Sequence, residues 1–367
     1  MIPTLYEEDF DFTSYQDGTA NLGLGKLAEC ITVTVRRVLN GVDELELSYP
    51  TFGKRASDLT LSRIIMAQPE YNTAPQPYRI YDVLKQTNGV IYVYARHVKE
   101  QLNYIPIWAF AAYDVTPAGA WSAMMNACTI ETCPFTFYSN ITTQADTFSN
   151  SAPRSISTLL GGIEGSMLDT YGGEYEFDRG TVKLLSRRGA DNGVTLRYAK
   201  NIMSLKYETN LDDVVTAICP YWEQKELSQM GVTVTLTEKV IRGAYESLYP
   251  FKRTIAKDFS TEFEEEPTEA QLRAKAETWM NNSAQSVAEV TIDVNFELLN
   301  NFEEYKDIGV LDAVNLGDTV HIIYEHEINL TASARVIELR YDALKEKYKK
   351  VTLGKMKYSL ADILNGL

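Results

Sequence analysis

The sequence predicts a β-rich α+β protein of several domains, with two small antiparallel β-barrels and two inserted mixed α/β domains. The chain has 367 residues, enough for two to four domains with sizeable cores. Residues 289–298 (EVTIDVNFEL) alternate between apolar and polar side chains without an error, which is the period of a half-buried strand. The same alternation recurs near both ends of the chain, whereas helix signals fall mainly in its middle.

Residues 1–104 are predicted to form the first β-barrel domain. Residues 30–35 alternate, and after Asn40 and Gly41 the segment 45–49 alternates again on the return strand. Asn-Gly is a strong hairpin signal because both residues tolerate positive φ. Further strands are predicted at 64–67, 78–84 and 90–98, the last two joined at Asn88-Gly89. Five short strands with tight turns indicate a small antiparallel barrel or sandwich.

Residues 105–200 are predicted to form a mixed α/β domain. Thr116 and Pro117 supply a hydroxyl cap and a first-turn proline for a helix that runs towards Cys128. A second helix is expected over 155–168, weakened by two adjacent glycines, and the polar stretch 139–153 is expected to be loop. A strand over 181–186 and a turn at 191–193 complete this domain.

The second β-barrel domain is predicted from residues 201–222 together with 288–358, interrupted by an inserted α/β domain at 223–287. The insert contains an alternating strand at 232–237 and a helix over 268–282. The helix begins at a capping box formed by Thr268 and Gln271. One face of that helix is apolar, which favours a packed core over a cofactor or nucleotide site. The strands after it are predicted at 320–324, 335–342 and 348–354, and a C-terminal helix or tail at 359–367.

Charge and cysteine content narrow the possible partners and compartments. The formal net charge of −15 argues against a general nucleic-acid binder, which needs cations to displace phosphate counterions. The negative charge is explained either by an acidic pore through which DNA slides or simply by the need for solubility. The four cysteines include no Cys-x-x-Cys pair, and residues 1–8 lack the features of a secretory leader. We therefore expect buried free thiols and synthesis in the cytosol. The longest apolar stretch, 105–113, is too short to cross a bilayer.

Histidines offer little catalytic chemistry in this sequence. His97, His321 and His326 are the only three, and none lies in a His-Glu-x-x-His motif. His321 and His326 are an odd number of residues apart, so on one strand they point to opposite faces. A zinc site that combines them with Glu325 or Glu327 is the alternative to surface positions on a hairpin.

Other motifs are equally weak. The segment 23–27 (GLGKL) lacks the four-residue spacer and the hydroxyl residue of a phosphate loop, and it is better explained as a hairpin tip. Acidic pairs such as Asp212-Asp213 or Glu303-Glu304 are expected by chance among 50 acidic residues. We therefore predict no catalytic, cofactor-binding or metal-binding residues, no cofactor and no enzymatic activity. The 23 tyrosines fit either β propensity or protein–protein contacts.

An ordered series of segments resembles the prophage tail endopeptidase family, which comprises the N-terminal structural regions of siphophage tail-associated lysins. The segments are 171–178 (YGGEYEFD), 196–202 (LRYAKNI), 205–216 (LKYETNLDDVVT), 257–260 (KDFS), 316–320 (LGDTV) and 351–354 (VTLG). The resemblance covers nearly the whole chain. Proteins of this kind resemble the baseplate hub of contractile-tailed phages.

The resemblance implies a structural tail-tip hub in the virion, made as a homotrimer in which each subunit contributes two barrels. Six barrels would form a pseudo-sixfold ring beneath the distal tail protein ring and tube. Further implied partners are the tape-measure protein and the receptor-binding or lytic tail components. Phage DNA would pass through a gated channel without specific binding or membrane insertion. Candidate contact surfaces are the loops at 18–27 and at Asn40-Gly41.

Two alternatives from other classes remain open at this point. One is a peptidoglycan hydrolase that acts on the host cell wall, since the family label names an endopeptidase. In relatives with lytic activity the resemblance places it in a separate C-terminal domain, and this chain offers no hydrolytic residues to carry over. The chain is either a short member or lacks a following segment. The other alternative is a carbohydrate-binding adhesin, suggested by the aromatic richness.

Overall fold

A computed structural model describes residues 1–15, 23–198, 200, 202–224, 232–263, 265–281, 289–296, 313–325 and 330–354. Within these ranges the chain forms twenty-four β-strands and four α-helices, so the predicted β-rich character is confirmed. The described residues fall into two compact units. The first comprises Met1–Leu205 and Asp293–Leu353, and the second is formed mainly by Lys206–Ile292.

The N-terminal strands of the first unit are short and joined by tight turns, as their sequence indicates. They are β1 (Thr4–Tyr6), β2 (Gly25–Lys26), β3 (Thr32–Val38), β4 (Asp43–Pro50), β5 (Ile64–Ala67), β6 (Gln76–Lys85) and β7 (Val90–His97). The β3–β4 hairpin turns at Asn40, whose φ is 52°. A buried apolar row crosses the sheet through Val35, Leu45 and Ala95, which are register partners. This row is what the period-two alternation predicts.

The middle of the first unit alternates short strands and helices. Its elements are β8 (Pro106–Ile107), β9 (Phe110–Val115), α1 (Pro117–Asn126), β10 (Thr136–Ser139), β11 (Ala145–Asn150), β12 (Arg154–Ser155), α2 (Ile156–Leu160), α3 (Met167–Tyr171), β13 (Glu174–Asp178) and β14 (Thr181–Leu185). Thr116 caps α1 as predicted, accepting from the backbone N–H of Gly119. Trp121 and Met124 of α1 enter a core that also contains Phe148 and Tyr175.

Two sequence predictions in this region are wrong. The stretch 139–153 is not all loop, because β11 pairs with β9 and buries Phe148. The single helix expected over 155–168 is two helices, α2 and α3. Gly161 has φ −171° and Gly162 has φ +96°, so neither continues a right-handed helix. Ser166 then caps the second helix anew.

The C-terminal strands of the first unit join the N-terminal ones in one sheet. They are β21 (Glu289–Phe296), which belongs to this unit from Asp293 onwards, β22 (Thr319–Tyr324), β23 (Leu330–Asp342) and β24 (Lys347–Gly354), and β15 (Asp191–Arg197) also joins them. The strand order is β21-β24-β23-β3-β4-β7-β6-β5-β1-β2, with β22 and then β15 beside β23. One stretch of β23 pairs with β22 and the next pairs with β3, so this long strand links the two ends of the chain.

The turn predicted at 191–193 is instead a bulge within β15. The register with β22 shifts between Asp191 and Thr195, and Gly193 adopts φ 71° there. No pairing among the described residues closes this sheet into a barrel. The two barrels and the domain boundaries drawn from the sequence therefore stay predictions.

The second unit is a small sheet with one helix. Its elements are β17 (Ala217–Glu223), β18 (Thr233–Thr235), β19 (Ile241–Arg242), β20 (Thr254–Asp258) and α4 (Glu269–Asn281), preceded by β16 (Ile202–Asn210), which starts in the first unit. The sequence placed residues 217–222 in the second barrel. In the structure β17 pairs with β18, β19 and β20, which occupy both of its edges, and it buries Ile218.

Helix α4 follows its sequence signals closely. Thr268 and Gln271 exchange hydrogen bonds as a capping box: the Thr268 N–H donates to Gln271 Oε1 at 2.9 Å, and the Gln271 N–H donates to Thr268 Oγ1 at 3.3 Å. Leu272, Ala276 and Met280 are buried against β17 and its neighbours. Among the described residues, no helix has the length and apolar character that crossing a membrane would need.

Candidate functional site

A group of buried ionisable side chains lies inside the first unit, and we call it the buried charge cluster. Strands and their ends supply its members: Arg37 (β3), Asp43 (β4), Glu70 (after β5), His97 (β7), Lys99 (the 3₁₀ turn Val98–Tyr104) and Arg188 (between β14 and β15). Charges are rarely buried unless they are paired, because removing them from water is costly. The pairing within the cluster therefore decides what it can do.

Arg37 is the centre of the cluster. It is 5% exposed, and its Nε donates to Asp43 Oδ2 at 2.9 Å while Nη1 pairs with Glu70. Asp43 Oδ1 also accepts from the Tyr78 hydroxyl at 2.9 Å. The other oxygen of Glu70 accepts from the backbone N–H of Leu316 at 2.9 Å. An N-terminal strand is thus fixed to a C-terminal turn through one carboxylate.

Electrostatic attraction keeps Arg37 and Asp43 ionised at neutral pH. Burial alone would lower the pKa of Arg37, but the carboxylates of Asp43 and Glu70 raise it above the usual range. Burial alone would raise the pKa of Asp43, yet the charge of Arg37 holds it below the usual range. The two groups stabilise each other's charge, so neither is free to exchange a proton with a substrate.

His97 and Lys99 are internal as well. Burial lowers the pKa of His97 to about 3, so its imidazole is neutral at pH 7. Its Nδ1 accepts from the Lys99 N–H at 3.2 Å, and its Nε2 lies 3.4 Å from Gln76 Oε1. Burial lowers the pKa of Lys99, whose Nζ donates to the carbonyl oxygen of Gly41. With no exposed surface, His97 cannot reach a substrate as a general base, and its predicted place in the sheet is confirmed.

Next to the cluster, two chain segments cross with their backbones in contact, one at Gly189 and the other at Gly317. Asp318 accepts from the N–H of Ala190 at 2.8 Å and from the N–H of Asn315 at 2.9 Å. Burial raises the pKa of Asp318, against the lowering effect of those two N–H groups. Arg335 spans the crossing: it forms a two-pronged ion pair with Glu174 and donates to the carbonyl oxygens of Arg188 and Gly317.

A cavity of about 370 Å³ opens beside these groups. Its lining is of mixed charge: two guanidinium groups, Arg37 and Arg188, face four carboxylates, Glu70, Glu176, Asp178 and Asp318. Because both signs of charge are present, the lining is not complementary to a simple anion or to a simple cation. In the described parts of the chain, no group of three or more His, Cys, Asp or Glu side chains could hold a metal ion. The ion pairs and hydrogen bonds of the cluster hold together β3, the segment after β5 and the turn before β22. They leave none of these side chains free to react with a substrate.

One constellation of chemical interest was missed by sequence reasoning. His321 Nδ1 lies 2.7 Å from Ser333 Oγ, and its Nε2 lies 3.1 Å from Asp191 Oδ1. The three residues stand on β22, β23 and β15, and His321 faces Ser333 directly in the register. Only long-range strand pairing brings them together, so no local motif could reveal them. The group is on the surface, as predicted for His321.

The remaining sequence candidates have ordinary surroundings or fall outside the described residues. The hairpin tip predicted at 23–27 is wrong, because Gly25-Lys26 forms strand β2, which pairs with β1, and these residues do not form a phosphate loop either. Asp212 and Asp213 are exposed. All four cysteines are free thiols as expected, but each is partly exposed instead of buried. Candidates that lie outside the described residues are 18–22, Glu303-Glu304, His326, Glu327 and 359–367.

The predicted contact loop at Asn40-Gly41 is engaged within the first unit. Asn40 Oδ1 accepts from the backbone N–H of Tyr175 at 2.7 Å, and Gly41 accepts from Lys99. Its role as a contact surface between subunits stays a prediction. So does the expected lack of catalytic, cofactor-binding and metal-binding residues.

Three solved structures share this fold over most of the chain. The prophage tail protein gp18 from Listeria monocytogenes EGD-e has a TM-score of 0.57 at 13% identity, covering 100% of this chain and 98% of its own. The tail protein from Neisseria meningitidis MC58 has a TM-score of 0.58 at 10% identity, covering 97% and 96%. The 43 kDa tail protein of prophage MuSo2 from Shewanella oneidensis has a TM-score of 0.57 at 9% identity, covering 88% and 93%.

Sequence comparison gives a consistent result. No curated protein sequence matches the chain. The family described as Prophage endopeptidase tail matches residues 190–364, which contain the segments 196–202, 205–216, 257–260, 316–320 and 351–354 on which the resemblance was based. Residues 190–364 are therefore similar to the prophage endopeptidase tail family, which confirms the resemblance.

Proposed function

We propose that this chain is a structural protein of a phage tail, the hub that joins the distal tail ring and tube to the tail-tip apparatus. The observation that carries the proposal is the fold shared with three tail proteins, two of them from prophages, over 88–100% of the chain. The family match over residues 190–364 points the same way. At identities of 9–13%, the common property is the architecture and not a set of side chains.

The internal chemistry of the first unit supports a scaffold. Its buried charge cluster contains Arg37, Asp43 and His97, whose pKa values are all shifted and which are paired or held neutral away from solvent. Enzymes place such groups in a cleft that substrate can enter. Here they join β3, β4 and the turn before β22, which suits a protein that transmits force between neighbours. We therefore propose a non-enzymatic role.

The proposed assembly is a homotrimer in which each subunit contributes two barrels to a pseudo-sixfold ring. Its partners would be the distal tail protein, the tape-measure protein and receptor-binding or lytic components, within the virion. Exposed aromatic side chains such as Phe52, Tyr104 and Phe251 are of the type that protein interfaces use. The net charge of −15 suits a gated channel through which DNA moves without sticking.

Light scattering coupled to size exclusion tests the trimer. A trimer gives a mass of three times the 41.4 kDa of one chain. A mass of 41.4 kDa that persists at high protein concentration would contradict the assembly, though not the fold. Adding the distal tail protein should then shift the trimer to a larger complex, because the ring provides the proposed docking surface.

A second candidate, a peptidoglycan hydrolase, is favoured by Asp191, His321 and Ser333. A serine nucleophile needs a base within hydrogen-bond reach, and His321 is 2.7 Å from Ser333. However, serine hydrolases bind serine at Nε2 and the carboxylate at Nδ1, whereas here the two ring nitrogens have the opposite partners. The group is also exposed, so water would not be excluded from the reaction.

A zymogram on Gram-positive cell walls separates the two candidates. The structural proposal predicts no clearing by the wild-type chain, Ser333→Ala or His321→Ala. Clearing by the wild type that disappears in Ser333→Ala, but not in Thr331→Ala on the same strand, would establish the hydrolase. Clearing that survives all three substitutions would also refute the non-enzymatic role, and would place the activity elsewhere in the chain.

A further inference from the structure

Two cysteines lie close together in the segment that joins α1 to β10. Cys128 follows the end of α1, and the chain bends at Ile130 and Glu131 before it reaches Cys133. The Cys128 thiol donates to the carbonyl oxygen of Glu131, with 3.1 Å between sulfur and oxygen. The backbone N–H of Cys133 donates to the Cys128 sulfur. One sulfur therefore lies directly against the backbone of the other cysteine.

Both ends of this segment are anchored, so the proximity is built into the fold. Before it, Met124 is buried and Trp121 stacks on Phe137 of β10, with ring centroids 5.1 Å apart. After it, Phe135 is buried in the same core. Disulfides need Cα atoms within about 7 Å, and a sulfur in contact with its partner's own N–H is compatible with that distance. Both thiols are also partly exposed, so a small oxidant can reach them.

We propose that Cys128 and Cys133 form a reversible disulfide, with a low-molecular-weight disulfide such as oxidised glutathione as the oxidant. The Cys128 thiolate attacks one sulfur of the oxidant, giving a mixed disulfide and one thiol product. The sulfur of Cys133 loses its proton and attacks the Cys128 sulfur of that mixed disulfide, releasing the second thiol product. The protein loses two protons and two electrons, and the oxidant is reduced to two thiols.

The bond would close a small loop around Ile130, whose side chain is among the exposed apolar ones. It would thereby tie the end of α1 to the start of β10. Burial raises the pKa of both thiols above the usual value, so the thiolate is scarce at neutral pH. The reaction should therefore accelerate as the pH rises from 7 to 9, because only the thiolate is nucleophilic.

The test exposes the full chain to oxidised glutathione, blocks remaining thiols with an alkylating agent and maps peptides by mass spectrometry. The expected result is a peptide containing both Cys128 and Cys133 that is unalkylated and lighter by about 2 Da, the mass of two hydrogens. Dithiothreitol should restore alkylation at both positions. The double variant Cys30→Ser/Cys219→Ser keeps the pair and should behave in the same way.

The variant Cys133→Ser supplies the matched control. Without its partner, Cys128 should retain the glutathione moiety as a stable mixed disulfide. Wild-type protein that carries separate glutathione adducts on Cys128 and Cys133 would overturn the proposal. So would a wild type whose pair stays fully alkylatable at pH 9 under an oxidant that cross-links the unfolded chain. Neither outcome requires a variant to fold.

Discussion

Gly189 and Gly317 allow two chain segments to cross with their backbones in contact. A Cβ atom at Gly189 would lie 2.2 Å from the carbonyl carbon of Gly317, and one at Gly317 would lie 2.7 Å from the carbonyl oxygen of Arg188. Both glycines also have positive φ, 74° and 93°. Any side chain at either position would have to push backbone aside, next to the ion pairs of Glu70 and the backbone hydrogen bonds of Asp318.

We predict that Gly189→Ala lowers the free energy of unfolding of the first unit by about 3 kcal/mol, because a backbone clash is added to strain at positive φ. Denaturant unfolding followed by near-ultraviolet circular dichroism measures it. Gly161→Ala is the control: φ there is −171°, and the added Cβ would meet Leu168 at an ordinary 3.7 Å. Equal stability of Gly189→Ala and wild type would show that the crossing is looser than described.

The second residue-scale prediction concerns pH. Unfolding would return His97 from a pKa of about 3 to one near 6.5. The unfolded chain then binds more protons than the folded one, so stability falls as the pH drops below 6.5. The loss contributed by His97 should reach about 3 kcal/mol by pH 4. Asp43, whose pKa is lowered, adds its own loss only at more acidic pH.

The variant His97→Asn isolates this contribution, since asparagine does not titrate. We expect it to be less stable at pH 7 yet to show a flatter stability curve between pH 6.5 and pH 4.5, measured by denaturant midpoints. An identical slope in wild type and His97→Asn would mean that His97 is protonated in the folded protein.

At the scale of elements, the capping box of α4 permits a local test. Thr268→Ala removes the hydroxyl that accepts from the Gln271 N–H, and the loss of a cap costs about 1 kcal/mol. Amide hydrogen exchange in the peptide that covers α4 should accelerate about fivefold. Thr278→Ala in the same helix removes only a bond to the carbonyl oxygen of Ala274, so exchange should hardly change. Equal exchange in both variants would show that the cap contributes nothing.

Local elements could be predicted from the sequence because their causes are local. The caps at Thr116 and Thr268 and the turn at Asn40 rest on hydrogen bonds and φ values within a few residues. The pairing of strands could not be predicted from the sequence. The alternation of β17, for example, fits the large sheet of the first unit as well as the small sheet of the second. The same limit explains why the sequence predicts loop at β11: only its pairing with β9 separates it from other polar stretches.

The buried charge cluster illustrates the limit for sites. Glu70 and Leu316 are 246 residues apart, and Arg37 and Glu70 are 33 apart, so no spacing rule connects them. Leu316 and Gly317 lie in a turn, but the close approach of Gly317 to Gly189 follows only from the folded register. The surface group at His321 has the same origin. What the sequence did convey was the scarcity of local catalytic motifs.

At the scale of the whole molecule, the chain combines a fold shared with prophage tail proteins and an interior that joins distant segments rigidly. Residues 190–364, which match the tail family, include β22 and β23, while β3 and β4 lie far outside the match. The long strand β23 pairs with elements of both regions. The part of the match that lies in the first unit therefore shares one sheet with the N-terminal strands.

Electron microscopy of induced phage particles tests the central claim most directly. The chain would carry an epitope tag detected with gold-labelled antibody. The proposal predicts label at the tip of the tail, away from the capsid, and lost tail-tip density in particles made without the chain. Label on the capsid or along the whole tail, or particles complete without this chain, would contradict a hub at the tail tip.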